Sequence, residues 1–555
     1  MKDVLIKNPC AGGQHFGGDY VPWRRLSLVL IVITFAYFYR IDKPPLWCDE
    51  AHTGIEARNI IQYGYPTAYD GRNVNVDYNG YTLNQNLVFK YVPWSQFYLG
   101  ALSIIIFGNH AAGLRLLFVI VGMCAFFPIY AILKSRVKYP DIIAGLVFVS
   151  PQILLFQRNA RYYSILILLY SLVVWHLTAD FKSNKTRYIT VSAILIILFH
   201  THSLAAICCC ISLLLFCLLF RREALAVYFF SSCIAFLSWI VWYEILGAPF
   251  AENQLAISDI ASDFGSWLKI FLTALGATLF DLDVVGCFPI LLWAALFVYL
   301  FFRKTNVVLN ILREPVLIFV FLSISIQAVA TAALIGYESE SMYAILRYMP
   351  HLVVFALICC FIALNHAISR RSLYLFMCIF TVAFSFMSLS FWARPYPRNV
   401  AVSWFMPVYA EIFRPPENAW DLIISKMKKE SEDSSDFNKI ILPLPIWTKA
   451  IANFYIGDRF IVSLLVNPIP EKNKIVVREI MGEQAFNRLY ARPDWILIVN
   501  IPDGKNITPH GYVLDTIFPS YRISPDAGGR PELTRHTFSQ SAIVSRIGLF
   551  RLQSN

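Results

Sequence analysis

Runs of roughly 20 apolar residues, the length of one bilayer crossing, recur along the first 392 positions with short polar gaps between them. About eleven such runs are predicted as membrane helices: 25–41, 113–133, 141–157, 162–179, 188–203, 204–220, 224–246, 286–302, 315–336, 348–366 and 372–392. Two further stretches are apolar but short and broken by polar residues, 93–108 ("PWSQFYLGALSIIIFG") and 266–283 ("SWLKIFLTALGATLFDLD"). Counting either as a crossing would break the alternation of charge in the loops that follow. They are expected to be interfacial helices lying on the outer leaflet. No internal repeat or low-complexity run interrupts this pattern.

The pattern changes after Trp392. "ARPYPRNVAVSWFMPVYAEIFRPPENAW" is rich in Pro and polar groups, and residues 393–555 are expected to form a soluble domain. Within it "PPENAWDLIISKMKKES" reads as a helix, with Pro ahead of it and basic residues in its last turn. "NKIILPLP", "FIVSLLV" and "DWILIVN" read as short buried strands, and "NKIVVREIMGEQAFNRLYA" as a second helix. Strands alternating with helices predict a small α/β domain. The remainder, 1–392, is a membrane domain whose first outer loop spans 42–112.

Composition agrees with the membrane reading. The 555-residue chain is 57% hydrophobic and only 15% charged, whereas soluble domains carry roughly a quarter charged residues. The net charge of +11 is placed as a topology signal, with no nucleic acid implied. Basic residues cluster in short gaps: Arg24 and Arg25; Lys134, Arg136 and Lys138; Lys182, Lys185 and Arg187; Arg221 and Arg222; Arg303 and Lys304; Arg370 and Arg371. Under the positive-inside rule these gaps are cytoplasmic. That puts the N-terminus inside and, with an odd number of spans, the C-terminal domain outside a plasma (inner) membrane. The first apolar run is bounded by "YFYRIDKPP" rather than a small-residue cleavage site and reads as an uncleaved span. Most of the 12 cysteines lie inside apolar runs, and no Cys/His metal spacing is present.

Candidate chemistry gathers at the ends of spans expected to face outward. The first outer loop carries Asp49 and Glu50 just past a span, followed by Lys90. "FQRNARYYS" gives Arg158, Arg161 and Tyr162; "LFHTHS" gives His202; "LRYMPH" gives Arg347. Each has a plain alternative: acids beyond a span as solvated loop residues, arginines on lipid headgroups, histidines satisfied by neighbouring helices, aromatics in an interfacial belt. Ionisable groups at membrane depth are nonetheless functional candidates. An acid beside several arginines suits one reaction in particular. A carboxylate takes the proton of an attacking hydroxyl, and the planar fork of Arg binds a departing phosphate. That constellation fits glycosyl transfer from a lipid-phosphate sugar.

"LWCDEAHTGIEARNIIQYGYP" resembles the first outer loop of GT-C glycosyltransferases, in the branch of protein O-mannosyltransferases and bacterial aminoarabinose transferases. The matching positions are Asp49, Glu50, Ala57 and Gly64. "VPWSQFYLGALSIIIFGNHAAGLRLL" resembles the family's Pro-containing interfacial helix, with Pro93, Phe107, Gly108 and Arg115. "SPQILLFQRNARYYS", "THS" and "LRYMP" follow in the family's order, over roughly residues 20–395. The resemblance implies an inverting transferase with a polyprenyl- or dolichyl-phosphate sugar donor. It implies Asp49 as base, with Glu50 orienting the acceptor or supporting the local helix. Arg115, Arg158 and Arg161 become candidates for the donor phosphate, and Lys90, Tyr162, His202 and Arg347 pocket residues. A divalent metal is compatible with this set and not required by it. The chain departs from the aminoarabinose transferases at Tyr91 and Val92, where they carry Glu-Lys before the Pro. It also lacks the central outer domain of the mannosyltransferases. The acceptor is a glycan, lipid or protein hydroxyl, and the sugar is left open. A polyprenyl-lipid transporter is the alternative from another class; it predicts repeats and broken spans with midplane binding groups. A non-enzymatic receptor would not need arginines at span ends.

Overall fold

The computed structural model describes residues 23–43, 45–76, 83–90, 92–179, 183–246, 267–268, 271–272, 305–334, 348–386, 419–432, 439–444, 448–465, 469, 471–501, 507–520 and 545–553. The expected boundary at 392–393, the span 286–302, most of the stretch 266–283 and Arg347 lie outside these residues.

Helix α1 (Trp23–Phe38) is the first span. Helix α2 (Cys48–Tyr63) follows, then α3 (Ser95–Phe107), a 13-residue apolar helix in the stretch expected to be interfacial. The run 113–133 forms two consecutive helices, α4 (Ala111–Cys124) and α5 (Phe126–Lys134). Pro128, lacking an N–H, sits in the first turn of α5, where that loss matters least. The run 141–157 likewise divides into α6 (Pro140–Phe148) and α7 (Pro151–Gln157), each beginning at a proline. The remaining described helices of the membrane part are α8 (Tyr163–Thr178), α9 (Asn184–Phe199), α10 (Ser203–Phe220), α11 (Leu225–Leu246), the short α12 (Thr305–Leu312), α13 (Pro315–Leu334), α14 (Pro350–Ala367) and α15 (Arg371–Phe386). Among the described residues, five segments are long and apolar enough to cross a bilayer: Ala111–Lys134, Ser203–Phe220, Arg222–Ile245, Pro315–Ala333 and Pro350–Ala367. The chain is a multi-pass helical membrane protein.

The bundle packs through aromatic and small polar side chains. The Tyr170 ring of α8 lies 4.6 Å from His351 and 5.2 Å from Phe355 of α14. Ser192 of α9 donates to Ser231 of α11 at 2.9 Å, the kind of interhelical bond that substitutes for a hydrophobic driving force inside lipid. The basic gaps meet at one end of the bundle. Arg25 pairs with Asp141 at the starts of α1 and α6. Arg136 reaches Glu314 at 2.8 Å, and Lys138 donates to the Ile368 carbonyl at 2.7 Å. Because α1 begins at this end and α2 follows its last turn, the acids of α2 lie at the opposite end.

The C-terminal part contains α16 (Ala419–Glu432), β1 (Ile440–Leu444), α17 (Thr448–Ile456), β2 (Ile461–Val462), α18 (Glu471–Met481), α19 (Glu483–Arg488), β3 (Trp495–Ile501), β4 (Tyr512–Ser520) and β5 (Ser545–Leu552). The sheet order is β2-β1-β3-β5-β4. β1 is parallel to β2 and β3, while β5 is antiparallel to both β3 and β4. The three strands and two helices read from the sequence are present, the second helix being divided at Gly482. α17, β4 and β5 are additions to it.

This domain is docked on the first loop. Asn73 donates to the Gly457 carbonyl at 2.9 Å and accepts from the Val462 amide at 2.7 Å. Asn473 donates to the Asn84 carbonyl at 2.8 Å, and Lys43 pairs with Asp421 at 3.1 Å. Gly54 of α2 makes the closest approach possible: a Cβ there would stand 2.4 Å from the Phe454 ring of α17.

Candidate active site

Asp49 and Glu50 fall in the first turn of α2, where carboxylates complement the helix dipole. The helix ends at Gly64, whose φ of 86° is the left-handed cap that glycine adopts without strain. Successive residues on a helix point about 100° apart, and the two acids have different surroundings as a result. Glu50 is fully buried at 0% exposure. Its Oε1 accepts from Arg115 Nε at 2.8 Å and from the Ala160 amide at 2.7 Å, and its Oε2 accepts from Arg115 Nη2 at 2.5 Å. Arg115 also donates to the Ile41 carbonyl at 3.0 Å. Glu50 is thus a buried fork joining α4, the segment after α7 and the end of α1.

Asp49 keeps 29% of its side chain exposed. Its Oδ2 lies 3.2 Å from Arg161 Nη2. Arg161 Nη1 donates to the Asp49 carbonyl at 3.3 Å and to Thr53 Oγ1 at 3.4 Å. The guanidinium stands 5.6 Å from the centre of the Tyr162 ring. From there the contacts continue: Tyr162 to His202 at 4.7 Å, and His202 to Tyr348 at 6.3 Å between ring centres. The acid, one arginine, two tyrosines and an imidazole therefore form a connected row at the α2 end of the bundle.

The three arginines expected near a phosphate have separate placements. Arg158 donates to the carbonyls of Ala36 at 2.7 Å, Tyr37 at 2.9 Å, Tyr39 at 3.0 Å and Arg40 at 3.2 Å. It caps the C-terminal end of α1, whose last carbonyls lack helical partners. Arg115 is engaged with Glu50. Of the three, Arg161 adjoins the partly exposed acid. Lys90 is buried and follows Phe89, whose ring lies 4.7 Å from His52 of α2. His52 in turn stands 3.6 Å from Glu56. Among the described residues, no group of three or more His, Cys, Asp or Glu side chains is gathered to hold a metal ion.

The contacts that α2 and its flanking segments make with the C-terminal part were not legible in the sequence. Arg58 donates to the Phe454 and Asn453 carbonyls at 3.3 Å and 3.4 Å. The Leu46 amide donates to Tyr455 Oη at 2.8 Å. In the same loop Asp70 is raised above the usual carboxylate range by burial, against hydrogen bonds from the Asn73 and Arg72 amides and the nearby charge of Arg58. The signal available in sequence was limited to "WTKAIANFYI", a short stretch of helical period with nothing to name its partner.

No protein-family model and no curated protein matches the chain. Among solved structures, ArnT from Cupriavidus metallidurans bound to undecaprenyl phosphate superposes with a TM-score of 0.50 at 15% identity, over 86% of this chain and 93% of that one. The chain has the ArnT fold. The apo structure of the same ArnT gives 0.49 at 15% identity, over 86% and 92%. The expectation of a GT-C architecture, membrane helices followed by a strand-containing C-terminal domain, is met. At this identity the ArnT fold carries no residue roles with it.

Proposed function

We propose that the chain is an inverting glycosyltransferase that moves a sugar from a polyprenyl-phosphate donor to a hydroxyl of a glycan, lipid or protein acceptor. The reaction is placed at the outer face of a plasma (inner) membrane, with the N-terminus cytoplasmic and the C-terminal domain outside. The observation that carries the reading is the division of labour at the start of α2: Glu50 buried in a fork with Arg115, Asp49 partly exposed and 3.2 Å from Arg161. Further support is the undecaprenyl phosphate named for the Cupriavidus metallidurans protein of the same fold.

In this mechanism the acceptor hydroxyl donates its hydrogen bond to Asp49, which takes the proton as the oxygen attacks the anomeric carbon. The bond from that carbon to the phosphate oxygen breaks on the opposite side, and the electron pair leaves with the polyprenyl phosphate. One displacement inverts the centre. Arg161 meets the growing phosphate charge through a charge-assisted hydrogen bond, while Tyr162 and His202 offer ring faces to the sugar. Arg115 and Arg158 hold the helix ends on which that geometry depends.

The test is Asp49→Asn in purified full-length protein. The amide keeps the shape and removes the base, so turnover is expected to fall by about 10²–10⁴ with the melting temperature unchanged. Normal turnover would remove Asp49 as base. Movement of polyprenyl lipid across vesicles with no transfer by the wild type would favour the transporter reading instead. Mass spectrometry of glycans and lipids from a deletion strain would name the sugar.

A further inference from the structure

The entrance to α2 is not held by its own cap. Trp47 occupies the N-cap position without a side-chain hydrogen bond. The segment is fixed from elsewhere: Arg115 donates to the Pro45 carbonyl at 3.5 Å, and the buried Leu46 amide donates to Tyr455 Oη at 2.8 Å. Two turns further on, Phe454 fills the notch at Gly54, with its ring under the Arg58 guanidinium at 5.1 Å. Adjacent residues of α17 therefore hold α2 at Gly54 and the segment leading into it at Leu46. The Glu50 fork to Arg115 and Ala160 holds the first turn as well, and these ties together fix the rotation of α2. Rotation decides the chemistry, because a turn of about 100° exchanges the directions of neighbouring residues, and here those neighbours are Asp49 and Glu50.

We propose that Tyr455 is a positioning residue of the site: by holding the Leu46 amide it fixes the entry to α2 and, together with the Glu50 fork, aims Asp49 at Arg161. The C-terminal domain is then a working part of the catalytic unit. This rests on the transferase reading above.

The experiment uses full-length Tyr455→Phe in lipid nanodiscs, which deletes one oxygen and keeps the ring. Backbone hydrogen exchange over residues 45–52 is expected to accelerate about tenfold, the scale of one lost hydrogen bond. Turnover is expected to fall about tenfold with the KM for the lipid donor within about twofold and a melting temperature within about 2 °C of wild type. Lys43→Ala cuts a different tie to the same domain, the pair with Asp421, and is expected to leave turnover unchanged. Unchanged exchange in Tyr455→Phe overturns the proposal, as does faster exchange with full turnover. Equal losses in Lys43→Ala also overturn it, since the effect would then be general docking. If the wild type transfers no sugar, the transferase reading fails by itself, and exchange over 45–52 still decides whether Tyr455 holds the helix.

Discussion

Replacing Glu50 with alanine separates the role of support from that of chemistry. The carboxylate is fully buried and accepts three hydrogen bonds, at 2.8 and 2.5 Å from Arg115 and 2.7 Å from the Ala160 amide. Removing it leaves a buried guanidinium uncompensated, a loss of about 3–5 kcal/mol in comparable buried pairs. The orphaned Ala160 amide adds to this, about 1–3 kcal/mol if it finds no water. Against a typical total of about 5–15 kcal/mol, Glu50→Ala should lower the melting temperature of the purified protein by on the order of 10 °C. The pair Glu50→Leu with Arg115→Met removes both charges and keeps the volume, and is expected to recover most of that loss. Thermal unfolding in a single detergent, followed by tryptophan fluorescence, measures all three proteins. A Glu50→Ala protein that melts within about 2 °C of wild type would refute the argument. Normal melting with lost turnover would place Glu50 in the reaction itself.

Arg161→Ala should raise the KM for the lipid donor without destabilising the bundle, while Arg158→Ala should lower the melting temperature by uncapping α1; the reverse pattern in donor titrations and melts would exchange their roles. Gly54→Ala puts a Cβ 2.4 Å from the Phe454 ring, so it should loosen the C-terminal domain from α2, read as faster limited proteolysis after residue 392. Asp515 is affected by burial, which raises it, but hydrogen bonds from Thr516 and Lys426 prevail and hold it below its ordinary 3.8. A depressed carboxylate stabilises above its unfolded pKa and stops doing so as pH falls through the folded one. Asp515→Asn should therefore melt below wild type at neutral pH, and the gap should close as pH drops beneath about 4.

Hydrophobic periodicity was enough to locate the described spans, because a bilayer demands long apolar runs whatever they pack against. It did not resolve the breaks at Ala125 and Ser150, although the prolines at 128 and 151 carried that information. The place of Asp49 just beyond a span was legible, and the structure puts it in the first turn of α2. The family resemblance set Glu50 apart from Asp49 as an orienting or supporting residue, but the partners that bury Glu50, Arg115 and Ala160, lie far away in the chain and were not legible. Arg158 illustrates the same limit: its place at a span end was legible, but its four bonds to carbonyls at and just beyond the end of α1 were not. The last two strands were overlooked despite the alternation in "SRIGLFRL", and the helix Thr448–Ile456 gave no local hint that it would dock on α2.

The bond from Leu46 to Tyr455 spans 409 positions of sequence. During synthesis the first membrane helix is threaded and its acids are exposed long before their final support has been made. A nascent chain that has not yet reached Thr448–Ile456 has threaded its apolar spans but lacks the hydroxyl that holds the entry to α2. If Tyr455 sets the site as proposed, synthesis of α17 rather than membrane insertion is the step that makes such a protein able to work, and a stop codon ahead of it would yield an embedded but idle product.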